Sequence, residues 1–358
     1  MANHKAGSVS TVKGLVRVLV VDDSAFVRKA VSQILSRSPF IEIVGIAGDG
    51  NEALEKVEKL HPDVVTLDLM MPGMNGLEFL TKQMTLSPVP IVVVSTANTQ
   101  DEMVLKALEA GAVDFVHKPS QMAESTIFQM GDELIEKVKA AAEIRLNRFD
   151  LTPTGLRSEA SDDSIRGKGN VDAIVIGIST GGPQALRYLI PQFAGTFPVP
   201  IAVVLHMPVG YTEMFADKLN MLSSLRVVEA REGDSFRAGT VLIAPGGRHL
   251  TFRRISDGSV AVHLDLRPSE TPHRPSVDVL FESAAEVFGA RTLGIVMTGM
   301  GSDGLVGASC VKAQGGRIYT EDEETCVVYG MPSSVVDAGF SDRSIRLDSM
   351  VDAILEVV

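Results

Sequence analysis

The chain has 358 residues, 45% of them hydrophobic, and carries 45 Asp and Glu against 33 Lys and Arg for a formal net charge of −12. That length allows two or three domains with cores of their own, and the acidic balance argues against a general nucleic-acid or membrane-surface binder, since phosphate contacts need clustered Lys and Arg. No apolar run of about 18 residues occurs and the opening MANHKAGSVSTVKG lacks the apolar core of a signal peptide, so a cytoplasmic protein is expected, with Cys310 and Cys326 as unpaired thiols and no zinc site.

From Leu15 onward, short β-branched runs alternate with helical ones: VRVLVVDD, AFVRKAVSQIL, IEIVGIAG, NEALEKVEKL, DVVTLDL, GLEFLTKQM, PIVVVST, DEMVLKALEAG, DFVHKP and DELIEKVKAAAEIRL. Five strands, each followed by a helix, predict a doubly wound parallel sheet over residues 15–140. A linker is expected at 141–170, where RFDLTPTGLRSEASDDSIRGKGN loses all periodicity. Over 171–358 the alternation resumes, interrupted by a hairpin-like piece, VLIAPGGRHLTFRRISDGSVAVHLDL. This half reads as a second, Rossmann-like α/β domain with a β-hairpin insertion.

In the first half, Asp22 and Asp23 stand at the carboxyl end of the first strand and Asp68 at the end of the third. In an open parallel sheet these ends share one edge, where ligands bind. Crowded carboxylates there call for a hard divalent cation, and oxygen ligation suits Mg²⁺. Ser95 and Lys118 end two further strands, placing a hydroxyl and an ammonium where a phosphoryl group on a carboxylate needs charge-assisted contacts. Taken singly, each residue has an ordinary explanation; Asp23, for example, also suits a helix N-cap. The motifs VVDDS, LDLMMPGMNG and GAVDFVHKP resemble the receiver domain of two-component response regulators. That resemblance implies phosphorylation of Asp68 by a histidine kinase. It also implies Mg²⁺ held by Asp23, Asp68 and the Met70 carbonyl with Asp22 acting through water, Ser95 or its neighbour Thr96 with Lys118 on the phosphoryl group, and Phe115 as a rotating aromatic.

In the second half, DAIVIGISTGGPQAL turns from a strand into a helix at Gly177–Gly182. A dinucleotide cradle needs G-x-G-x-x-G and an acidic residue about twenty positions on. Here Ser179 occupies the middle glycine's place, and no Asp or Glu lies between Asp172 and Glu213. The stretch fits G-x-S-x-G instead, which lifts a serine hydroxyl above a sheet edge. A serine needs an imidazole to take its proton and a carboxylate to orient that imidazole. His206, at the end of IAVVL, ranks ahead of His249 and His273 because its strand end falls on the serine's edge, and Asp303, after TLGIVMTGMGS, ranks ahead of Asp172 for the same reason. The order Ser179, His206, Asp303 differs from that of α/β-hydrolases, so an independent triad is expected. Backbone N–H groups at Thr180 and Gly181, or in the turn Thr298–Gly301, would serve an oxyanion.

Residues 171–358 resemble the catalytic domain of the chemotaxis protein-glutamate methylesterases through GISTGGPQAL, LHMP, IAPGGRHL, HRPSVDVLF and VMTGMGSDG. The resemblance implies Ser179 as nucleophile, His206 as base, Asp303 as its partner and the Met300 backbone as an oxyanion donor. It implies hydrolysis of glutamate methyl esters, and of certain glutamines, on the cytoplasmic helices of chemoreceptors, with no cofactor in the catalytic domain. The competing reading is a non-enzymatic regulator whose second half binds a partner or a nucleotide.

Overall fold

The computed structural model describes residues 14–96, 101–118, 124–144 and 169–358. The residues ahead of Gly14, and residues 145–168 of the expected linker, lie outside the described residues.

The first half runs β1 (Val16–Val21), α1 (Ala25–Leu35), β2 (Ile41–Ala47), α2 (Gly50–Leu60), β3 (Val64–Leu67), α3 (Gly76–Leu86), β4 (Ile91–Thr96), α4 (Asp101–Glu109), β5 (Asp114–Lys118) and α5 (Glu124–Ala142). Its five strands form a wholly parallel sheet in the order β2-β1-β3-β4-β5. Helices cover both faces, which is why β3, VVTL, is buried along its whole length with no alternation. Local signals fix the helix starts: Asp49 accepts the N–H groups of Asn51 and Glu52, and Asn75 with Glu78 closes a capping box. The cap of α1 is Ser24 and not Asp23. The last helix of this half reaches Ala142, just past the boundary expected at 140.

The second half runs β6 (Ala173–Ile178), α6 (Gly182–Leu189), β7 (Ile201–Leu205), α7 (Tyr211–Leu222), β8 (Arg226–Glu229), β9 (Thr240–Ile243), β10 (His249–Arg254), β11 (Val260–Asp265), α8 (Val277–Phe288), β12 (Thr292–Val296), α9 (Leu305–Ala313), β13 (Arg317–Glu321), α10 (Met331–Asp337), β14 (Arg343–Ile345) and α11 (Met350–Leu355). Seven parallel strands pair in the order β14-β13-β12-β6-β7-β9-β8. Only β10 and β11 form the antiparallel hairpin. The expected hairpin was therefore drawn too long at its start. β9, TVLI, is buried at every position, as a strand inside a covered parallel sheet must be, whereas the hairpin strands expose part of each length. Strand order reverses between β6 and β12, so the crevice at their carboxyl ends is the topological switch point of this sheet.

Gly177 shows how closely α8 rests on that switch point. A Cβ there would lie 2.2 Å from Val277 Cγ1, at the buried start of α8. Gly177→Ala is expected to destabilise the second half by about 2 kcal/mol through overpacking and to lower its Tm by roughly 4–8 °C, measurable by calorimetry.

Candidate active site

Ile178 pairs with Leu205 in the register of β6 and β7, so Ser179 and His206 are the next residues out of two adjacent strands. The His206 N–H donates to Ile178 O at 3.2 Å, and the Ser179 N–H donates to Thr298 O, beyond the end of β12, at 2.9 Å. Both residues are thereby tied to the switch-point crevice. The turn after Ser179 is tight, with the Gly182 N–H donating back to Ser179 O at 2.7 Å before α6 begins. Gly299 comes so close to the serine that a Cβ there would sit 2.8 Å from Ser179 Cβ; no larger residue fits.

His206 Nε2 lies 2.8 Å from Asp303 Oδ2, with both side chains buried. Its Nδ1 is buried and has no hydrogen-bond partner among the described residues, so the serine hydroxyl is not bonded to it here. The two ring nitrogens are used in the reverse of the chymotrypsin-like arrangement, where the aspartate takes Nδ1. Asp303 also accepts the Ser276 hydroxyl at 2.9 Å, the Val277 N–H at 2.8 Å and the Asp278 N–H at 3.0 Å. It therefore sits on the N-terminus of α8, whose open N–H groups and dipole favour an anion. Burial opposes its charge, but the His206 contact and the helix N–H groups outweigh it and hold the carboxyl down at about 2.

Asp278 returns the arrangement, accepting the Gly304 N–H at 2.8 Å and the Gly307 N–H at 2.7 Å at the start of α9. Burial raises this second carboxyl to about 6, aided by the Asp303 charge and opposed by the two glycine N–H groups. Sequence reasoning missed Ser276 and Asp278. The S-V-D before an apolar run marks a helix start, but nothing local says that this start receives a carboxylate from 25 residues away.

The other histidines are placed differently. His249 is fully buried, with Nδ1 accepting the Ser276 N–H at 3.2 Å and Nε2 3.0 Å from Pro268 O. Both ring nitrogens are thus engaged in structure. His273 stacks on the His206 ring, with centroids 4.1 Å apart and planes 21° apart. Asp172 lies on the far edge, paired with Arg291.

The first half meets this site directly. The Thr180 hydroxyl donates to Asp114 Oδ2 at 2.6 Å, and Gln184 Nε2 donates to Leu108 O at 2.8 Å and Ala112 O at 3.0 Å. Glu109 pairs with Arg187 at 2.7 Å and Lys218 at 3.1 Å. Phe115 is buried, its ring centroid 4.9 Å from that of Tyr211.

On the first sheet's edge, carboxylate oxygens of Asp22, Asp23 and Asp68 lie within 4.8 Å of one another. Lys118 Nζ stands 2.6 Å from Asp22 Oδ2 and 3.0 Å from Asp68 Oδ1. Burial raises the Asp68 carboxyl; Lys118 opposes this, and the Asp22 charge adds to it. The Met70 N–H faces Asp68 while its side chain is exposed, and Ser95 is buried at the end of β4. The Thr96 side chain lies outside the described residues. Among the described residues no helix is long and apolar enough to cross a membrane.

The depressed Asp303 carboxyl links the site to stability. Its stabilisation is present above its ordinary value of 3.8 and is lost as pH falls through about 2. Wild type should therefore lose about 2 kcal/mol more than Asp303→Asn between pH 4 and pH 2, measured by urea unfolding at each pH.

A family model described as CheB methylesterase matches residues 174–354, and one described as response regulator receiver domain matches residues 18–127. Protein-glutamate methylesterase/protein-glutamine glutaminase 5 of Myxococcus xanthus is 45% identical over 342 residues, covering 95% of this chain and 97% of its own length. The Thermotoga maritima protein-glutamate methylesterase/protein-glutamine glutaminase is 39% identical over 345 residues, covering 96% of this chain and 99% of its own. The crystal structure of the Thermotoga maritima CheB methylesterase catalytic domain matches with a TM-score of 0.51 and 41% identity, over 52% of this chain and 99% of that one. With its receiver sheet and its seven-stranded parallel sheet, the chain belongs to the CheB methylesterase family.

Proposed function

We propose that this protein is a phosphorylation-controlled serine hydrolase that removes methyl groups from glutamate methyl esters, and the amide from certain glutamines, on the cytoplasmic helices of chemoreceptors. The observation that carries the reading is His206 Nε2 at 2.8 Å from the buried Asp303 carboxylate, with His206 just past the end of the strand adjacent to the one that leads into Ser179. Ser179 Oγ attacks the ester carbonyl while His206 Nδ1 takes its proton. Asp303 stabilises the imidazolium that forms. Nδ1 then protonates the departing methoxide, and methanol leaves. Water, deprotonated by the same nitrogen, hydrolyses the acyl-enzyme to a carboxylate. With a glutamine substrate the leaving group is ammonia. Because the Gly182 N–H is held by Ser179 O, the oxyanion falls to the N–H groups of Thr180 and Gly181 and, across the crevice, Met300. The same engagement of Gly182 weighs against a phosphate cradle, and with family membership it disfavours the binding-only alternative.

The receiver half supplies the control. A histidine kinase as phosphodonor to Asp68 is the partner this half implies. The clustered oxygens of Asp22, Asp23 and Asp68 fit a hard cation. Mg²⁺ bound by these residues and the Met70 carbonyl would neutralise charge around an Asp68 phosphoryl group, with Lys118 and Ser95 as further contacts. The unphosphorylated receiver lies over the serine turn through Asp114, Leu108 and Ala112. Phosphorylation adds about −1.5 to −2 charges, and a hundredfold activation needs only about 2.7 kcal/mol of bias between the two packings. Movement of Phe115 toward Asp68 would withdraw its ring from Tyr211.

Methanol release from methylated receptor, measured with and without a small phosphodonor, tests both halves. Asp303→Asn should lower kcat by about 10⁴ with folding retained, and a variant as active as wild type would remove Asp303 from the reaction. Glu109→Ala breaks the pairs with Arg187 and Lys218. It should raise basal activity about fivefold and shrink the gain from phosphodonor, since two such surface pairs together are worth about 1 kcal/mol.

A further inference from the structure

Beneath the serine turn lies a carboxyl group that the reaction as derived leaves idle. Glu321 ends β13 with no solvent exposure. Its Oε2 accepts the Thr298 N–H at 2.9 Å, while its Oε1 has no hydrogen-bond partner among the described residues, the Thr325 hydroxyl and Cys326 thiol pulling on the carboxyl more weakly. A carboxyl buried with so little compensation is costly, and an apolar side chain of similar size would fill the space without that cost.

Its contact with the Thr298 N–H leads straight to the nucleophile. Thr298 O accepts the Ser179 N–H at 2.9 Å. The Thr298 hydroxyl donates to Thr180 O at 2.9 Å and accepts the Val328 N–H at 3.0 Å. The residue after Thr298 is Gly299, which has no room for a Cβ against Ser179, and the next is Met300. Every polar group of Thr298 is thus engaged, and the one engagement supplied by a side chain of another strand is Glu321. We infer that Glu321 is a positioning residue for the hydrolysis: by holding the Thr298 N–H it fixes the turn that carries Gly299 and Met300 against Ser179. This rests on the triad and oxyanion roles proposed above. Burial pushes the Glu321 carboxyl up to about 7, against the pull of the Thr298 N–H and of Thr325 and Cys326. A neutral amide is therefore its close substitute, with an oxygen still available to Thr298.

The test uses the full chain with Glu321→Leu, which fills the site but removes the acceptor, and Glu321→Gln, which keeps it. Three quantities are read: kcat and KM for methanol release, the rate of Ser179 labelling by a fluorophosphonate, and the melting transition. Glu321→Leu should lose about 10²-fold in kcat with KM little changed, and its labelling rate should fall in parallel. Glu321→Gln should stay within about threefold of wild type in kcat, KM and labelling rate, with its melting transition little moved. A folded Glu321→Leu with wild-type kcat would overturn the inference, as would equal losses in Leu and Gln or a loss confined to KM. If Glu321→Leu does not fold, Glu321→Asp, which withdraws the carboxyl from Thr298, must show the same loss of kcat, and an unimpaired Asp variant would overturn it. Wild type that neither releases methanol nor labels at Ser179 would instead defeat the hydrolase reading itself.

Discussion

An ionised carboxylate in a protein interior must be met by enough donors to replace its water, and around Asp303 those donors are the first turn of α8, the Ser276 hydroxyl and His206. The first turn of any helix has N–H groups with no partner inside the helix. α8 satisfies its own with Asp303, which lies just before α9, and α9 satisfies its own with Asp278, which lies in α8. Each helix start therefore depends on an acid carried by the other. The helix N–H groups pull both carboxyls down; burial nevertheless raises Asp278 to about 6, whereas the added contact with His206 holds Asp303 at about 2, so the group facing His206 is the more firmly charged. A site made this way needs α8 close against β6, and Gly177 under Val277 is where the sheet admits it.

Much of this arrangement is legible in the sequence because parallel sheets place function by rule. Asp22, Asp68, Ser179, His206 and Asp303 all follow apolar runs that end at the same kind of edge, so strand ends alone select them. What escapes sequence reading depends on contacts between distant segments. The exchange of Asp278 and Asp303 joins residues 25 or more apart through backbone N–H groups, which carry no residue-type signal. The ring nitrogen that His206 turns to Asp303 is a matter of side-chain orientation. In sequence, β9 merges with the hairpin because TVLI continues without an evident break into the Gly-rich turn before β10; only its complete burial distinguishes it. Glu321 hides for the opposite reason. It opens an acidic run, EDEE, that resembles a solvated surface, although the first residue of that run is wholly buried.

The two halves meet along α4, the turn after it and β5, and β5 alone reaches from the serine turn to the acidic cluster. β5 begins at Asp114, which accepts the Thr180 hydroxyl beside Ser179, and ends at Lys118, which pairs with Asp22 and Asp68. Phe115, between them, rests against Tyr211 of α7. Five residues of strand span about 13 Å from first to last Cα, so the acidic site and the serine turn lie at opposite ends of a single rigid element. Lys137 on α5 braces the near end, donating to Asp114 Oδ1 at 3.1 Å and to Phe115 O at 2.7 Å. On the proposed control, a phosphoryl group on Asp68 would compete for Lys118, the one cation paired with both buried acids among the described residues. A strand bonded through its backbone to β4 does not stretch, so on that reading a shift at Lys118 would be carried to Asp114 as movement of the whole strand or released by rotation of Phe115. Either response acts on a contact with the catalytic half. The proposed control would thus use backbone geometry already required for the sheet to span the distance between Asp68 and Ser179.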